Sequence, residues 1–340
     1  MEQLNVAVVG AGLIGEVHAR AYAAHPGANL RWVCDLDIKR ARKLAKHCGG
    51  RATKDVKDIA RDPSVHAASV VTPDFAHRAP VMALLKGGEH VLCEKPLAMK
   101  TSDARAMAAA ARKRGLQLMV NFHNRWNPLF LEAKKETAPK RFGEFVLGYA
   151  RLSNPYWVPK KLLSWAGRSG PEWFLLPHIT DLVLWLTGHK DVRSVRALGQ
   201  KKLLKSMGIN AYDAVQASVT FADGSFCTLE SSWVLPDAWP SAIDFKLNLQ
   251  GSRAKVEVVA DDQGIRVTGR RHSTPYVSAV QNAFGKTTGF FQEPIMHFVD
   301  SLLAGREPEC PAEEGVAVTA VIEAAVKSIR TGRAVKPQGA

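Results

Sequence analysis

Three short stretches of this chain hold residues that could do chemistry. The first is Gly10-Ala11-Gly12-Leu13-Ile14-Gly15, a G-x-G-x-x-G run after an apolar stretch, 4–9, and before a helical pattern, 16–24. In that setting the first glycine permits a tight turn, the second lets backbone approach a pyrophosphate, and the third lets helix pack on strand. The helix start, with Leu13 and Ile14 in it, offers free N–H groups and a positive dipole end to phosphate. The second is Asp35, which ends an apolar run, 30–34, twenty residues after Gly15. A carboxylate there suits the two ribose hydroxyls of NAD and repels the 2′-phosphate of NADP. Lys39 and Arg40 lie just beyond and soften that rejection, so NAD is expected ahead of NADP. The third is 91–97, Val-Leu-Cys-Glu-Lys-Pro-Leu, an apolar strand that carries Glu94 and Lys95 to its carboxyl end, where Pro96 stops it. Ligands of an open parallel sheet bind beyond the carboxyl ends of its strands, so this stretch would present a lysine to a bound molecule. Taken alone, it reads equally well as a solvated ion pair on a surface turn.

Such residues need elements to hold them. Apolar runs at 4–9, 30–34, 67–71, 91–93 and 116–120 read as buried strands, and 16–24, 38–48, 55–60, 77–86 and 103–114 as helices. Ser102 would cap the last helix and Gly115 close it. The alternation is that of a doubly wound parallel sheet. After residue 122 the rhythm changes. A helix is expected at 128–136 and a strand at 143–152, then a loop rich in Trp, Pro and Lys over 153–171 and a helix at 174–186. Strands follow at 192–198, 214–221, 226–233, 243–249, 255–259 and 265–268, with Asp223-Gly224 as a hairpin turn. Helices return at 294–303 and 313–329. The expected fold is therefore α/β. A Rossmann domain with a doubly wound parallel sheet spans 1–122, and an α+β domain with an open, largely antiparallel sheet spans 123–340.

Composition narrows the function. At 340 residues with 46% hydrophobic content, two domains with sizeable cores are expected. No apolar run approaches the roughly 20 residues of a membrane helix. The N-terminus runs into a strand without a basic region, so no signal peptide, no membrane partner and a cytoplasmic location are expected. The five cysteines are scattered, with no C-x-x-C, which suits buried thiols in a reducing compartment and no metal site. The formal charge of +14 raises the question of nucleic acid. However, the basic residues are dispersed, and no zinc-finger or RNA-binding motif accompanies them. They read as solvated helix faces or as attraction for an anionic substrate, without a nucleic-acid partner.

The whole chain resembles the oxidoreductases grouped with glucose–fructose oxidoreductase, inositol 2-dehydrogenase and the rhizopine-catabolism protein. The resemblance rests on Gly10 to Gly15, on Thr72-Pro73 with His77, on the run 88–98 that contains Glu94-Lys95-Pro96, on Arg125 with Pro128, and on His178 with Asp181. It implies a bound nicotinamide cofactor, held also by Thr72, Pro73, His77, Glu94, Lys95 and Asn121. It implies that Lys95, often followed in the family by a cis peptide, lies beside the reacting hydroxyl, and that His178 of the second domain faces it. An imidazole with a reference pKa of ~6.5 suits the proton that alcohol oxidation releases, and an ammonium suits the developing alkoxide. Many dehydrogenases of the family carry an aspartate four residues before the histidine. Here that residue is Phe174, and Asp181, one turn later, is the nearest carboxylate that could replace it. Pro177 points to a helix break or first turn beside His178. A missing carboxylate would weaken the dehydrogenase mechanism and favour relatives that use nicotinamide transiently, in sugar elimination or hydrolysis. A nucleotide-sensing regulator is a third reading. On the substrate side, Tyr156, Trp157 and Trp165 offer faces for sugar CH surfaces and Arg168 a fork for carboxylate or phosphate, unless that loop serves packing. Arg125, His178 and Asp181 join this substrate set with Lys95. The expected substrate is a small hydroxylated molecule, and the expected assembly a homodimer or homotetramer through the C-terminal sheet.

Overall fold

The computed structural model describes residues 3–189, 191–269, 272–284 and 286–338. They form two compact units, Met1–His123 with Val280–Val316, and Asn124–Ala279 with Ala317–Ala340.

The first unit alternates strand and helix in the order β1 (Leu4–Val9), α1 (Leu13–Ala24), β2 (Ala28–Cys34), α2 (Ile38–Cys48), β3 (Arg51–Thr53), α3 (Val56–Ala60), β4 (Ala67–Val70), α4 (Arg78–Gly87), β5 (His90–Glu94), α5 (Thr101–Lys113) and β6 (Leu118–Asn121). The six strands make a parallel sheet in the order β3-β2-β1-β4-β5-β6. Successive residues of β4, and of β5 after its first, are all buried, so both faces of the sheet centre are covered, which is why these strands read as continuous apolar runs. The strand order reverses between β1 and β4, which places the switch point beside the glycine loop. The edge strand β3 is only Arg-Ala-Thr, too short for any period to show. Helix α5 starts at Thr101 with Lys100 at the capping position and no side-chain cap, so Ser102 lies inside the helix.

The second unit begins with α6 (Pro128–Glu136) and α7 (Pro139–Phe142), followed by β7 (Phe145–Pro155), α8 (Pro171–Phe174), α9 (Leu176–Thr187), β8 (Val192–Gln200), α10 (Leu203–Ser206), β9 (Ala214–Phe221), β10 (Phe226–Leu235), β11 (Asp244–Gly251) and β12 (Lys255–Val259). Its sheet order is β12-β11-β7-β10-β9-β8. Every pair is antiparallel except β7 with β10, which run parallel, so the sheet is mixed. Alternation along β9 and β10 buries one face, with Leu229, Val219 and Trp233, and leaves the other open. Helix α9 packs on β7 and β10. The strand expected over 265–268 shrinks to Val267–Thr268, paired with His272–Ser273 outside the main sheet.

Two helices close the chain, α11 (Glu293–Leu303) and α12 (Ala312–Thr331). Sequence places the domain division between 122 and 123, and the chain leaves the first unit one residue later. The expected second domain spans 123–340, and within it 280–316 packs with the first unit. Apolar packing and backbone pairing hold it there. Helix α11 packs on α1, the Val120 N–H donates to the Cys310 carbonyl at 2.9 Å, and a Cβ on Gly315 would lie 2.6 Å from Val120 Cγ2.

Candidate active site

The glycine loop joins β1 to α1. Gly10 has φ of +110°, and a Cβ there would lie 2.4 Å from the Val71 carbonyl oxygen, so only glycine fits. A Cβ on Gly15 would lie 1.9 Å from the Gly10 oxygen, so helix and loop touch there. At Gly12 an added Cβ would meet open space. Nothing in the fold needs glycine at that position, and the loop surface is bare where a pyrophosphate would approach. Leu13 and Ile14, 62% and 37% exposed, flank this surface. Asp35 is braced from two sides. Its Oδ2 accepts the Ala11 N–H at 2.8 Å and its Oδ1 the Asp37 N–H at 2.8 Å. The carboxylate is thereby fixed to the loop, with lone pairs left for a ribose diol.

The turns after β4 and β5 are tied to each other. His77 bridges main-chain carbonyls, Nε2 to Thr72 at 2.8 Å and Nδ1 to Pro96 at 2.7 Å. Both ring nitrogens are thus spent on backbone, and the side chain braces two turns rather than reaching a ligand. Pro73 stands at the cap of the turn between them. The Lys95–Pro96 peptide is cis. Lys95 is 7% exposed and Glu94 7%. The Glu94 carboxylate turns inward, where Oε1 accepts from Asn121 Nδ2 at 2.6 Å and Oε2 from the Lys95 N–H at 3.1 Å, and His18 Nε2 lies 3.4 Å from Oε1. Burial alone would raise the Glu94 carboxyl, but the His18 hydrogen bond, with the positive charge of neighbouring side chains, holds it at about 2. His123, beyond the end of β6, is pushed down to about 4 by burial, against the pull of Glu94. It packs on Phe291 and Phe290, with ring centroids 4.2 and 6.0 Å away. Two buried oxygens, Thr72 Oγ1 and Asn121 Oδ1, have no partner among the described residues, and both belong to residues expected to hold the cofactor. The unit therefore fits a dinucleotide, with bare backbone for pyrophosphate, a braced carboxylate for ribose, and unspent polar atoms near the lysine.

In the second unit, His178 sits near the start of α9, with Pro177 in the first turn. The helix expected over 174–186 starts at Leu176, with Pro177 in its first turn where the missing N–H costs no bond, and a separate short helix, α8, precedes it. Phe174, the residue at the expected carboxylate position, lies in an aromatic layer between Trp165 and Trp233, at 5.8 and 5.7 Å. Asp181 does not simply take over. Both its oxygens face Arg125, at 3.0 Å from Nε and 2.5 Å from Nη2, in a buried pair capped by the Trp185 ring. Arg125 and Asp181 are thus brought to each other. The partner of the histidine comes from elsewhere, since Asn124 Nδ2 lies 3.2 Å from His178 Nδ1. Tyr156 and Trp165 are half-buried and Arg168 is exposed, on the segment that leads into α8.

Two residues here belong to no motif: His18 and His123. His18 had a signal. Residues 15, 18, 19 and 22 form one buried stripe of α1, and a histidine inside such a stripe must find polar partners. Asn124 belongs to the Asn-Arg-x-x-Pro run 124–128, but its partner lies 54 residues away.

Comparison with known proteins agrees with this geometry. Residues 4–122 match the GFO_IDH_MocA model, described as "Oxidoreductase family, NAD-binding Rossmann fold", and residues 140–336 its C-terminal alpha/beta domain. The inositol 2-dehydrogenase of Rubrobacter xylanophilus is 28% identical over 97% of this chain and 92% of its own. The D-glucoside 3-dehydrogenase of Escherichia coli is 29% identical over 68% of this chain and 71% of its own. Among solved structures, GenD2 from gentamicin A biosynthesis in complex with NAD superposes with a TM-score of 0.86 at 27% identity, over 99% of this chain and 97% of that one. With both domain models matched in order along the chain, this protein belongs to the GFO/IDH/MocA family of NAD-binding oxidoreductases.

Proposed function

We propose that the chain is an NAD-dependent dehydrogenase that moves a hydride between nicotinamide and a secondary hydroxyl or keto carbon of a sugar, polyol or related compound, anionic ones included. The observation that carries this reading is Lys95, a nearly buried ammonium at the carboxyl end of β5 with an ionised Glu94 fixed beside it. The names of the inositol and glucoside dehydrogenases among the relatives support the substrate class. NAD, when bound, supplies a hydride acceptor. The protein has to manage the oxygen. Lys95 stabilises negative charge on it as the carbon is oxidised. His178 exchanges the proton, for which an imidazole is suited near neutral pH. Trp165 and Tyr156 offer faces to the ring CH surface of the substrate, and exposed Arg168 an anion fork.

NADH release with a panel of sugars and polyols tests the proposal. Lys95→Ala and His178→Ala should each lower kcat by about 100-fold or more, and full activity in both would overturn it. The aromatic layer at Phe174 favours a second reading, elimination or hydrolysis of a sugar with NAD retained. Consumption of substrate with no net change in nicotinamide absorbance would identify that reaction.

A further inference from the structure

A line of buried side chains runs under Glu94. Tyr22 OH is 2.6 Å from Ser69 Oγ, Ser69 Oγ is 2.8 Å from His18 Nδ1, and His18 Nε2 is 3.4 Å from Glu94 Oε1. Tyr22, His18 and Ser69 are fully buried. The line joins α1, whose start carries the glycine loop, to β4 and then β5, whose end carries Lys95.

Counting donors gives the line one direction. An ionised carboxylate only accepts, and the Asn121 amide nitrogen, 3.3 Å from His18 Nε2, already donates to Glu94 Oε1 at 2.6 Å, so the proton of the His18 ring belongs on Nε2. Nδ1 is then a bare lone pair, and Ser69 is the hydroxyl beside it, so Ser69 donates there. Having spent its hydrogen, Ser69 accepts from Tyr22. Each donor has one acceptor. A ring protonated on both nitrogens would reverse Ser69 and take from the buried Tyr22 hydroxyl hydrogen the acceptor it has here. The titratable groups facing Glu94 within the unit are His18, His123, Lys95 and Cys93.

We infer that His18 is a positioning residue for the Glu94-Lys95 pair: Tyr22 and Ser69 fix its proton on Nε2, aimed at the Glu94 carboxylate, so that the nucleotide-binding helix and the lysine strand share one polar anchor. The inference rests on the reading of Lys95 as the lysine of the reaction. Without His18, Glu94 keeps Asn121 and the Lys95 N–H but loses the donor from α1, and the carboxylate is less firmly held in its ionised form.

Three measurements on the full chain with NAD bound test this. Ring-nitrogen NMR of histidine-labelled protein should show His18 protonated at Nε2 and bare at Nδ1. Ser69→Ala, which deletes the donor, should move the Nδ1 signal. A His18 proton on Nδ1, or a Nδ1 signal that Ser69→Ala leaves in place, would overturn the inference. In kinetics, His18→Leu should lower kcat by about 10- to 100-fold with NAD affinity within about threefold, and His18→Gln, whose amide can still donate to Glu94, should recover most of the loss. In His18→Leu an infrared band of a protonated carboxyl, absent from Glu94→Gln in the same background, should mark Glu94. Unchanged kcat in His18→Leu would sink the positioning role. If His18→Leu fails to fold, Ser69→Ala decides through the nitrogen signal and kcat together. If Lys95→Ala proved active, the reading of the lysine would fail while the proton placement on His18 remained measurable by itself.

Discussion

The same residue type can answer opposite demands. Gly15 is required by the fold, because any Cβ would strike the Gly10 carbonyl, whereas Gly12 faces open space and is required only by what binds there. The pair therefore separates folding from binding. Gly12→Ala should keep its melting temperature within about 1 °C, since a compatible Gly→Ala change costs the fold little, and should weaken NAD binding by calorimetry. Gly15→Ala should lower the melting temperature by several degrees even without cofactor, as overpacking costs ~1–3 kcal/mol. Equal melting loss in both variants would contradict this division. A similar separation applies at His178, whose Nδ1 faces the amide of Asn124. Asn124→Asp would place a negative charge against the ring and favour its protonated form. The limb of the kcat profile that follows His178 should move to higher pH in that variant, and should stay in place in Asn124→Gln. These partners were not legible in advance. Motifs marked Lys95, His178 and the glycines because their spacing is local, but the amide that faces the histidine and the arginine that claims Asp181 are set by tertiary packing.

Among elements, the turns at the two ends of the parallel strands carry different burdens. At the carboxyl ends the buried charges are paired. At the amino end of β5, Glu89 is 2% exposed and its Oε2 has no partner among the described residues. Burial, and then the charge of Asp62, push its carboxyl up from 4.5 to about 7. With the folded value raised, the contribution of Glu89 to stability is intact below about pH 4.5 and is lost as pH rises through about 7. His123 runs the other way. Its folded value lies below 6.5, so its contribution is present above that pH and is lost as pH falls toward about 4. Glu89→Gln should melt like the parent at pH 5 and a few degrees higher at pH 8, roughly 1–3 kcal/mol of relief. Identical melting at both pH values would show that the carboxylate finds compensation. Element type was readable wherever an apolar run was long. Continuous apolar runs revealed the strands of the first sheet and alternation those of the second, yet alternation could not reveal that β7 and β10 run parallel, because strand direction leaves no trace in a period of two. The start of α9 at Leu176 was readable because Pro177 is a local signal.

At the scale of the whole molecule, residues 280–316 fall within the C-terminal domain match and yet pack in the first unit, for a reason of the same kind. Nothing in their composition tells which of two sheets a late segment joins, and the decision is made by contacts with Val120 and α1. The open face of the second sheet raises a question of its own. Leu147 and Phe226 are register neighbours on β7 and β10, 37% and 47% exposed, and beside them Tyr149 donates to Glu230 at 3.0 Å. Apolar side chains in the middle of a polar-rimmed sheet suit burial against another surface. Such a face can meet a copy of itself around a two-fold axis, where a residue near the axis contacts its own counterpart. We propose that it pairs two copies of the chain. Light scattering at micromolar concentration should then give a mass of at least twice 37.1 kDa. Phe226→Glu combined with Leu147→Glu would set four carboxylates together in a two-fold contact, and like charges so placed repel strongly when desolvated. That variant should elute at the single-chain mass and still bind NAD, because the glycine loop belongs to the other unit. A single-chain mass for the unmodified protein at the same concentration would remove the proposal, and a variant that stayed assembled would move the interface to a different surface.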